Sequence, residues 1–290
     1  MLNKDLVELS ELMSGGETEI IPIMTEENIK DLSVSDMPEL LPILPLKGNV
    51  FFPGVIIPIN AGREKSVKLI KTAYKNKQII GIVAQKSADI EDPTTADLYK
   101  VGTMAKVIKT LNMPDGTTMV ILQGMDRFSL EELVQTEPYW VGKAIEYPDG
   151  AKDLPENYMA LAEAVKDMYL RVLKMVPNIP ADPSFAIQNI ENPYFLLNYV
   201  AAHLDVNVSE KQKLLETNDF SKRANKVLSI LSKELELQKL KLEIQKKVSS
   251  DMDKQQRDYL LTQQLKTIQE ELGGSPSDLE IEELRKKSRN

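Results

Sequence analysis

The sequence of 290 residues contains no cysteine and a single histidine, His203. Disulfides, thiol nucleophiles and thiolate metal sites are therefore excluded, and a zinc site would need carboxylates for most of its ligands. Apolar runs are also short, as in residues 55–58, whereas a membrane-spanning helix needs about 20 apolar residues. The sequence predicts no metal site, no cysteine chemistry and no contact with a membrane.

Motifs for catalysis and nucleotide binding are missing too. The sequence has no G-x-x-x-x-G-K-[ST] loop, no G-x-G-x-x-G after a predicted strand and no G-x-S-x-G elbow. His203 lies beside apolar residues and is predicted to be structural, and paired acids such as Glu131 and Glu132 are predicted to be solvated. We therefore expect no catalytic, cofactor-binding or metal-binding residue in this chain.

Charge is distributed unevenly. The net charge is -8, and residues 1–40 hold ten acidic side chains against two lysines, so the other 250 residues carry 34 basic and 34 acidic groups. Residues 41–290 are neutral overall and have no net field to attract nucleic acid, so DNA binding is not supported in this chain; DNA binding by other parts of a longer parent protein is left open. The acidic start is typical neither of a secretory signal nor of a mitochondrial transit peptide, which favours the cytoplasm. We expect residues 1–38 to be a disordered leader.

Residues 39–150 have a sequence pattern typical of a β-rich domain, with short apolar runs separated by proline and glycine. One amphipathic helix is predicted at 63–77, and Pro114-Asp115-Gly116 predicts a hairpin turn. This pattern indicates an α+β protein whose first domain is a mostly antiparallel, partly closed β-barrel. The predicted strands are 41–46, 55–60, 79–85, 101–110, 117–122, 127–134 and 139–147.

Residues 151–219 are predicted to form a helical bundle. One helix runs from Pro155 to Val176, a second starts at Asn192-Pro193, and Ser209 with Gln212 fits a capping box for a third. Residues 220–274 are predicted to be one long helix that leaves the first domain and reaches a partner, because neither glycine nor proline interrupts it before Gly273. Residues 275–290 are charged and expected to fray.

Two apolar stripes on this helix are separated by a polar stretch. Leucine and isoleucine recur with 4-3-4 spacing in the second stripe, which is typical of a coiled-coil seam. The first stripe contains Leu237, Leu240, Ile244 and Val248, and the second contains Leu261, Leu265, Ile268 and Leu272.

Apolar side chains at turns and on the thinly covered helix are the candidate contacts with a substrate or partner. Leu111 and Met113 stand beside a predicted hairpin turn, where packing between domains is an equally good interpretation. Phe51 and Phe52 precede a Pro-Gly turn, although core burial of at least one of them is the favoured alternative. The third group lies on the long helix and consists of Met252, Tyr259 and Leu260.

Three separated segments carry a family resemblance. Residues 41–66, LPILPLKGNVFFPGVIIPINAGREKS, closely resemble the start of the N-terminal domain of the bacterial ATP-dependent Lon protease family. Residues 201–217, AAHLDVNVSEKQKLLET, and 259–274, YLLTQQLKTIQEELGG, resemble the family's helical region and the end of its long helix. The resemblance covers roughly residues 40–274 in the same order, but not the acidic leader.

The resemblance implies a PUA-like barrel followed by an α-helical bundle, in a homohexameric serine protease of the bacterial cytoplasm. In that family an AAA+ module, which uses ATP and Mg²⁺, and a protease domain with a Ser-Lys dyad follow this region. Because neither motif occurs here, the chain is expected to be truncated before both modules and to be inactive alone, with no cofactor of its own.

The function implied is recognition of unfolded or damaged proteins, and assembly or gating of the hexamer. The parent protein would degrade misfolded, damaged and selected regulatory proteins in protein quality control and the stress response. The alternative is a stand-alone, non-proteolytic adaptor or scaffold that carries the same barrel. The reading frame beyond Asn290 distinguishes the two, since a G-x-x-x-x-G-K-T loop would indicate the protease and a stop codon the scaffold.

Overall fold

The computed structural model describes residues 37–113, 117–147, 156–175 and 184–271, together with positions 281, 284, 285 and 288. Positions 1–36 of the predicted leader and the turns at 114–116 and 148–150 lie outside these residues, whereas Met37, at the end of the predicted leader, packs against a buried apolar cluster of the sheet. Contacts between residues divide the chain into two compact units, Met1–Leu235 and Glu236–Asn290. The finer division of the first unit into a barrel domain and a bundle stays a prediction.

The first part of unit one is a six-stranded mixed sheet. Its strands follow the order β2-β5-β4-β3-β1-β6, and β6 also pairs with β5, which closes the sheet on itself. Only β1 and β3 among these pairs run parallel. The prediction of a mostly antiparallel, partly closed barrel within an α+β chain is confirmed. The elements are β1 (Leu40–Leu46), β2 (Ile56–Ala61), α1 (Glu64–Asn76), β3 (Ile80–Ala84), β4 (Val101–Asn112), β5 (Thr118–Gln135) and β6 (Val141–Glu146).

The two strands predicted at 117–122 and 127–134 are in fact one strand, β5. Gly124, in the gap between them, does not form a turn. A Cβ atom at this position would lie 2.4 Å from the carbonyl oxygen of Phe52, and the Gly124 N–H donates to the carbonyl of Val55 at 2.8 Å. Glycine is required here because another backbone segment approaches the strand closely.

Five helices follow the barrel in the described residues up to position 271, and α6 runs through both units. Asn192 caps α4 as predicted, since its Oδ1 accepts from the N–H groups of Tyr194 and Phe195 at 3.0 and 3.1 Å. The predicted cap of α5 is wrong, because Asn207 accepts from the Glu210 N–H at 2.9 Å while Ser209 only donates to Asn207. The helices are α2 (Tyr158–Leu173), α3 (Ser184–Gln188), α4 (Pro193–His203), α5 (Val208–Glu216) and α6 (Phe220–Glu271).

Side chains of the barrel hold α5 through its last carbonyl groups. The Arg127 guanidinium donates to the Leu215 carbonyl at 2.6 Å, and the Tyr147 hydroxyl donates to the Glu216 carbonyl at 2.8 Å. Arg127 also lies 5.1 Å from the centre of the Tyr147 ring. Because the last carbonyls of a helix lack intrahelical donors, a buried cation is well placed there. These bonds fix the barrel against the helices of unit one.

Glycine at position 54 allows a second close approach at this junction. Gly54 has a φ of +81°, in the left-handed region that favours glycine, and an added Cβ would lie 2.6 Å from the Phe195 ring. The Asn198 amide donates to the Pro53 carbonyl at 3.2 Å beside it. The barrel turn therefore lies directly against α4.

Burial of Tyr199 in α4 predicts a loss of stability at alkaline pH. Burial raises the pKa of its phenol to about 12, from an ordinary value near 10. A raised pKa in the folded state means that the stabilisation is present below pH ~10 and is lost as pH rises through ~12. Between pH ~10 and ~12 the unaltered chain should therefore lose about 2–3 kcal/mol of unfolding free energy through ionisation of Tyr199. Tyr199→Phe should not show this loss.

Denaturant unfolding at pH values from 9 to 12 measures this difference. Tyr259→Phe is the matched control, because the Tyr259 ring is 64% exposed. Parallel pH curves for the unaltered chain and Tyr199→Phe would show that ionisation of Tyr199 is not coupled to unfolding.

Candidate functional site

The β4–β5 hairpin presents two of the predicted contact residues at its tip. Leu111 lies directly opposite Met119 in the ladder, and the Met113 N–H donates to the Thr117 carbonyl at 2.9 Å. Leu111 is half-buried, whereas Met113 is exposed. Two long strands thus hold an apolar, partly exposed tip on a rigid support. The predicted turn at 114–116 lies outside the described residues.

The other pair predicted on the barrel, Phe51 and Phe52, is buried and offers no surface to a partner. Phe51 packs in a cluster formed by barrel strands and α1, and Phe52 packs in the cluster that the barrel shares with the helices that follow it. Adjacent side chains of an extended segment point in opposite directions, so one of the two would normally face solvent. Here the segment runs between two cores, and their assignment as contact residues is corrected.

A cleft of about 460 Å³ opens beside the start of α1. Its size is within the range of sites that bind small ligands or side chains. The apolar side of its lining is formed by Ile43, Pro45, Leu69, Pro93, Tyr139 and Trp140. Neither Tyr139 nor Trp140 is predicted from sequence as a contact residue. The available signal is that Trp140 is the single tryptophan and stands just before a strand.

Charged groups of both signs line the rest of this cleft. The Arg63 guanidinium donates to Gln85 Oε1 at 2.9 Å, and Lys65 forms an ion pair with Glu137. A hydrogen bond and ion pair with Lys68 lower the pKa of the exposed Glu64 carboxyl. The cleft therefore combines an apolar wall with charged side chains of both signs.

The remaining predicted contacts lie on α6 in unit two. Met252 and Tyr259 are seven residues apart and share a face of the helix, whereas Leu260 lies about 100° further round. All three are exposed, as is every residue from 243 to 271. The helix is continuous through Ser249 and Ser250. This half of α6 therefore carries an apolar surface that no described residue covers.

Two other features are absent from the described part of the chain. No group of three or more histidine, aspartate or glutamate side chains there is arranged to hold a metal ion. None of the helices described is both long enough and apolar enough to cross a bilayer.

The sequence and the fold were compared with those of known proteins. Residues 40–233 match the family model of the ATP-dependent protease La (LON) substrate-binding domain. The chain is also similar to the N-terminal domain of Mycobacterium avium complex Lon protease, with a TM-score of 0.54, 19% identity and coverage of 67% of this chain and 98% of that domain. At this identity the structural likeness supports the fold alone.

Full-length relatives give higher identity. The chain is 43% identical over 290 residues to the Lon protease of Flavobacterium johnsoniae, and 42% identical over 273 residues to that of Parabacteroides distasonis. These alignments cover 100% and 93% of this chain, but only 35% and 33% of the two proteases. The chain thus spans about a third of the length of these relatives. Because the family model covers most of the chain, the chain belongs to the Lon protease family, in which residues 40–233 form the substrate-binding domain.

Proposed function

We propose that this chain is the client-recognition and assembly region of a homohexameric, ATP-dependent serine protease. Its clients would be misfolded, damaged and selected regulatory proteins of the bacterial cytoplasm, in quality control and the stress response. The match of residues 40–233 to a substrate-binding domain is the observation that carries the proposal. The apolar hairpin tip supplies a surface suited to the task.

The chemistry of cleavage would belong to other modules of the parent protein. Peptide hydrolysis in this proposal uses a Ser-Lys dyad, and ATP with Mg²⁺ drives translocation of the client. This sequence contains no phosphate-binding loop. We therefore expect the 290-residue chain alone to bind clients without hydrolysing either ATP or peptide bonds.

The hairpin tip is suited to binding unfolded chains. Unfolded proteins expose apolar segments of varied sequence, and methionine adapts to such partners because its side chain is flexible and polarisable. The tip and its flanks carry three apolar side chains, two of them methionines: Leu111, Met113 and Met119. A few partly exposed apolar contacts give weak, reversible binding, which suits a client that must be passed onward.

A double substitution at the tip tests this assignment. We expect Leu111→Ser with Met113→Ser to weaken binding of a permanently unfolded, fluorescently labelled protein by about tenfold, because two apolar contacts are lost. Fluorescence anisotropy measures the affinity, and thermal unfolding checks that the barrel remains folded.

The matched control is the pair Val134→Ser and Met159→Ser. These side chains are 51% and 62% exposed, so the control removes similar apolar surface from unit one away from the tip. Equal affinity in the tip variant and the unaltered chain would refute the role of Leu111 and Met113. An equal loss in the control pair would show that any exposed apolar side chain serves.

The exposed half of α6 supports the assembly part of the proposal. Isolated apolar side chains are common on protein surfaces, but an uncovered series of them that recurs along one helix marks an interaction surface. The apolar side chains of this surface extend from Leu237 to Ile268. We propose that the surface contacts other copies of the chain in the hexamer.

A further inference from the structure

Apart from Val248, which falls at position e, the two apolar stripes of α6 occupy positions a and d of one heptad frame. Leu237 and Leu265 are 28 residues apart, which is four heptads, so both occupy position a of the repeat. In this frame Leu240 and Leu261 occupy position d. The apolar side chains at positions a and d are each 51–61% exposed. The polar stretch between the stripes therefore interrupts the composition of the seam but not its spacing.

Four charged residues fill the seam positions of that polar stretch, and their signs alternate. Lys247 and Lys254 occupy position d, whereas Asp251 and Asp258 occupy position a. Along a single helix this order places opposite charges three and four residues apart, which stabilises the helix by about 0.2–0.5 kcal/mol per pair. The same alternation also gives the seam an order of charges that a second, oppositely directed seam can match.

We propose that residues 237–268 pair with the same segment of a second copy as an antiparallel, two-stranded coiled coil. This inference rests on the assembly part of the proposed function and specifies the partner and the register. In an antiparallel pair, position a of one helix meets position d of the other. One register places an apolar residue opposite an apolar residue, or a lysine opposite an aspartate, at every seam position. In this register the two residue numbers of each pair sum to 505. The pairs are Leu237 with Ile268, Leu240 with Leu265, Ile244 with Leu261, Lys247 with Asp258, and Asp251 with Lys254.

Each pair occurs twice in the dimer, giving six apolar layers and four layers with opposite charges. The two-fold axis passes between Met252 and Asp253. The overlap of 32 residues is about 47 Å long at 1.5 Å per residue. The apolar layers at both ends supply the attraction, and the central ion pairs set the register at a cost in stability, as polar seam positions do in other coiled coils.

Other arrangements of the same two seams place unlike residues together. Parallel, in-register pairing sets Asp251 against Asp251 and Lys254 against Lys254, so four layers carry like charges. An antiparallel shift of one heptad in one direction sets Ile244 against Lys254, and the opposite shift sets Asp251 against Leu261. The sum-505 register alone avoids both like charges and charges buried against apolar side chains.

Cysteine cross-linking reads the register directly, because the chain has no cysteine of its own. Ile244→Cys and Leu261→Cys are made in separate chains, and one carries a mass tag. In the proposed register the two altered positions meet, whereas the two copies of position 244 are 17 residues, or about 26 Å, apart. A disulfide requires Cα atoms within about 7 Å. We expect oxidation of the mixture to give the tagged–untagged dimer and oxidation of either variant alone to give none.

Charge reversal provides the second test. Asp251→Lys with Asp258→Lys puts lysine against lysine in all four charged layers, and we expect the dimer dissociation constant to rise roughly 100-fold. Adding Lys247→Asp and Lys254→Asp restores four oppositely charged layers, and the affinity should return. Analytical ultracentrifugation of the 290-residue chain measures the constant, and circular dichroism checks that α6 stays helical.

The outcomes separate this inference from the broader proposal. Cross-links between identical Ile244→Cys chains would overturn it in favour of parallel pairing, and a chain that stays monomeric at its highest attainable concentration would overturn both pairing and the assembly role of α6. A dimer without the mixed cross-link would overturn only the register. Client binding at the hairpin tip is measured independently and should not change in the charge-reversed chain.

Discussion

Phe52→Ala is expected to lower the free energy of unfolding by about 3–5 kcal/mol, the usual cost of removing a buried phenylalanine ring. The side chain is fully buried in the cluster that joins the barrel to α2, α4 and α6. The surrounding backbone cannot relax freely, since Gly124 packs against the Phe52 carbonyl oxygen and Gly54 lies against Phe195. Most of the cavity left by the ring should therefore persist.

Denaturant unfolding at fixed pH measures this loss, and the same samples test whether Phe52 contributes to binding. Phe52→Leu keeps much of the apolar volume and should lose clearly less stability. The affinity of the folded Phe52→Ala chain for an unfolded client should equal that of the unaltered chain. A weaker affinity with little loss of stability would mean that the side chain reaches the surface and binds clients after all.

Arg127→Met is expected to cost roughly 2–4 kcal/mol, because it removes a charged donor from a buried position. Arg127 is 4% exposed, and its guanidinium donates to the last turn of α5 and stacks on Tyr147. Methionine keeps the apolar stem but leaves the Leu215 carbonyl without this donor. The contact between the barrel and α5 should loosen before the barrel itself unfolds.

Hydrogen exchange can locate this effect. Amides of α5 should lose protection in Arg127→Met, while those of β3 and β4 should retain it until global unfolding. Lys143→Met is the matched control, since its ammonium is partly exposed and its ion pairs with Glu39 and Glu131 span 3.8 and 3.5 Å. That control should change stability by no more than about 0.5 kcal/mol. Uniform loss of protection in Arg127→Met would show that the barrel and helices unfold as one unit.

Local signals in the sequence were sufficient for much of this fold. Asn192-Pro193 predicts the start of α4, because an asparagine cap followed by proline satisfies the free N–H groups of a first helical turn. The uninterrupted run after Phe220 predicts α6, and the element lasts 52 residues. Short apolar strands with turn residues between them predict the barrel. In each case the determining groups are neighbours in the sequence.

Features that depend on distant parts of the chain were not predictable in this way. The gap between the strands predicted at 117–122 and 127–134 contains Gly124, whose role becomes clear only when Phe52 is placed beside it. Burial of both Phe51 and Phe52 requires two cores, one on each side of a single extended segment. The α1 cleft combines β1, α1, the loop at Pro93 and Trp140, so no local motif marks it. Charge order along α6 is local, and this is why its pairing can be inferred without a partner structure.

Closure of the barrel has a consequence for synthesis on the ribosome. Leu41 pairs with Gly142, 101 positions later in the chain. One edge of β1 therefore stays unpaired until β6 has been synthesised. An open strand edge invites association with other nascent chains. Pro45 faces the same edge of β1 as Ile43, whose N–H donates to the Trp140 carbonyl, so it removes a backbone donor from this early edge and makes the edge a poorer template for aggregation.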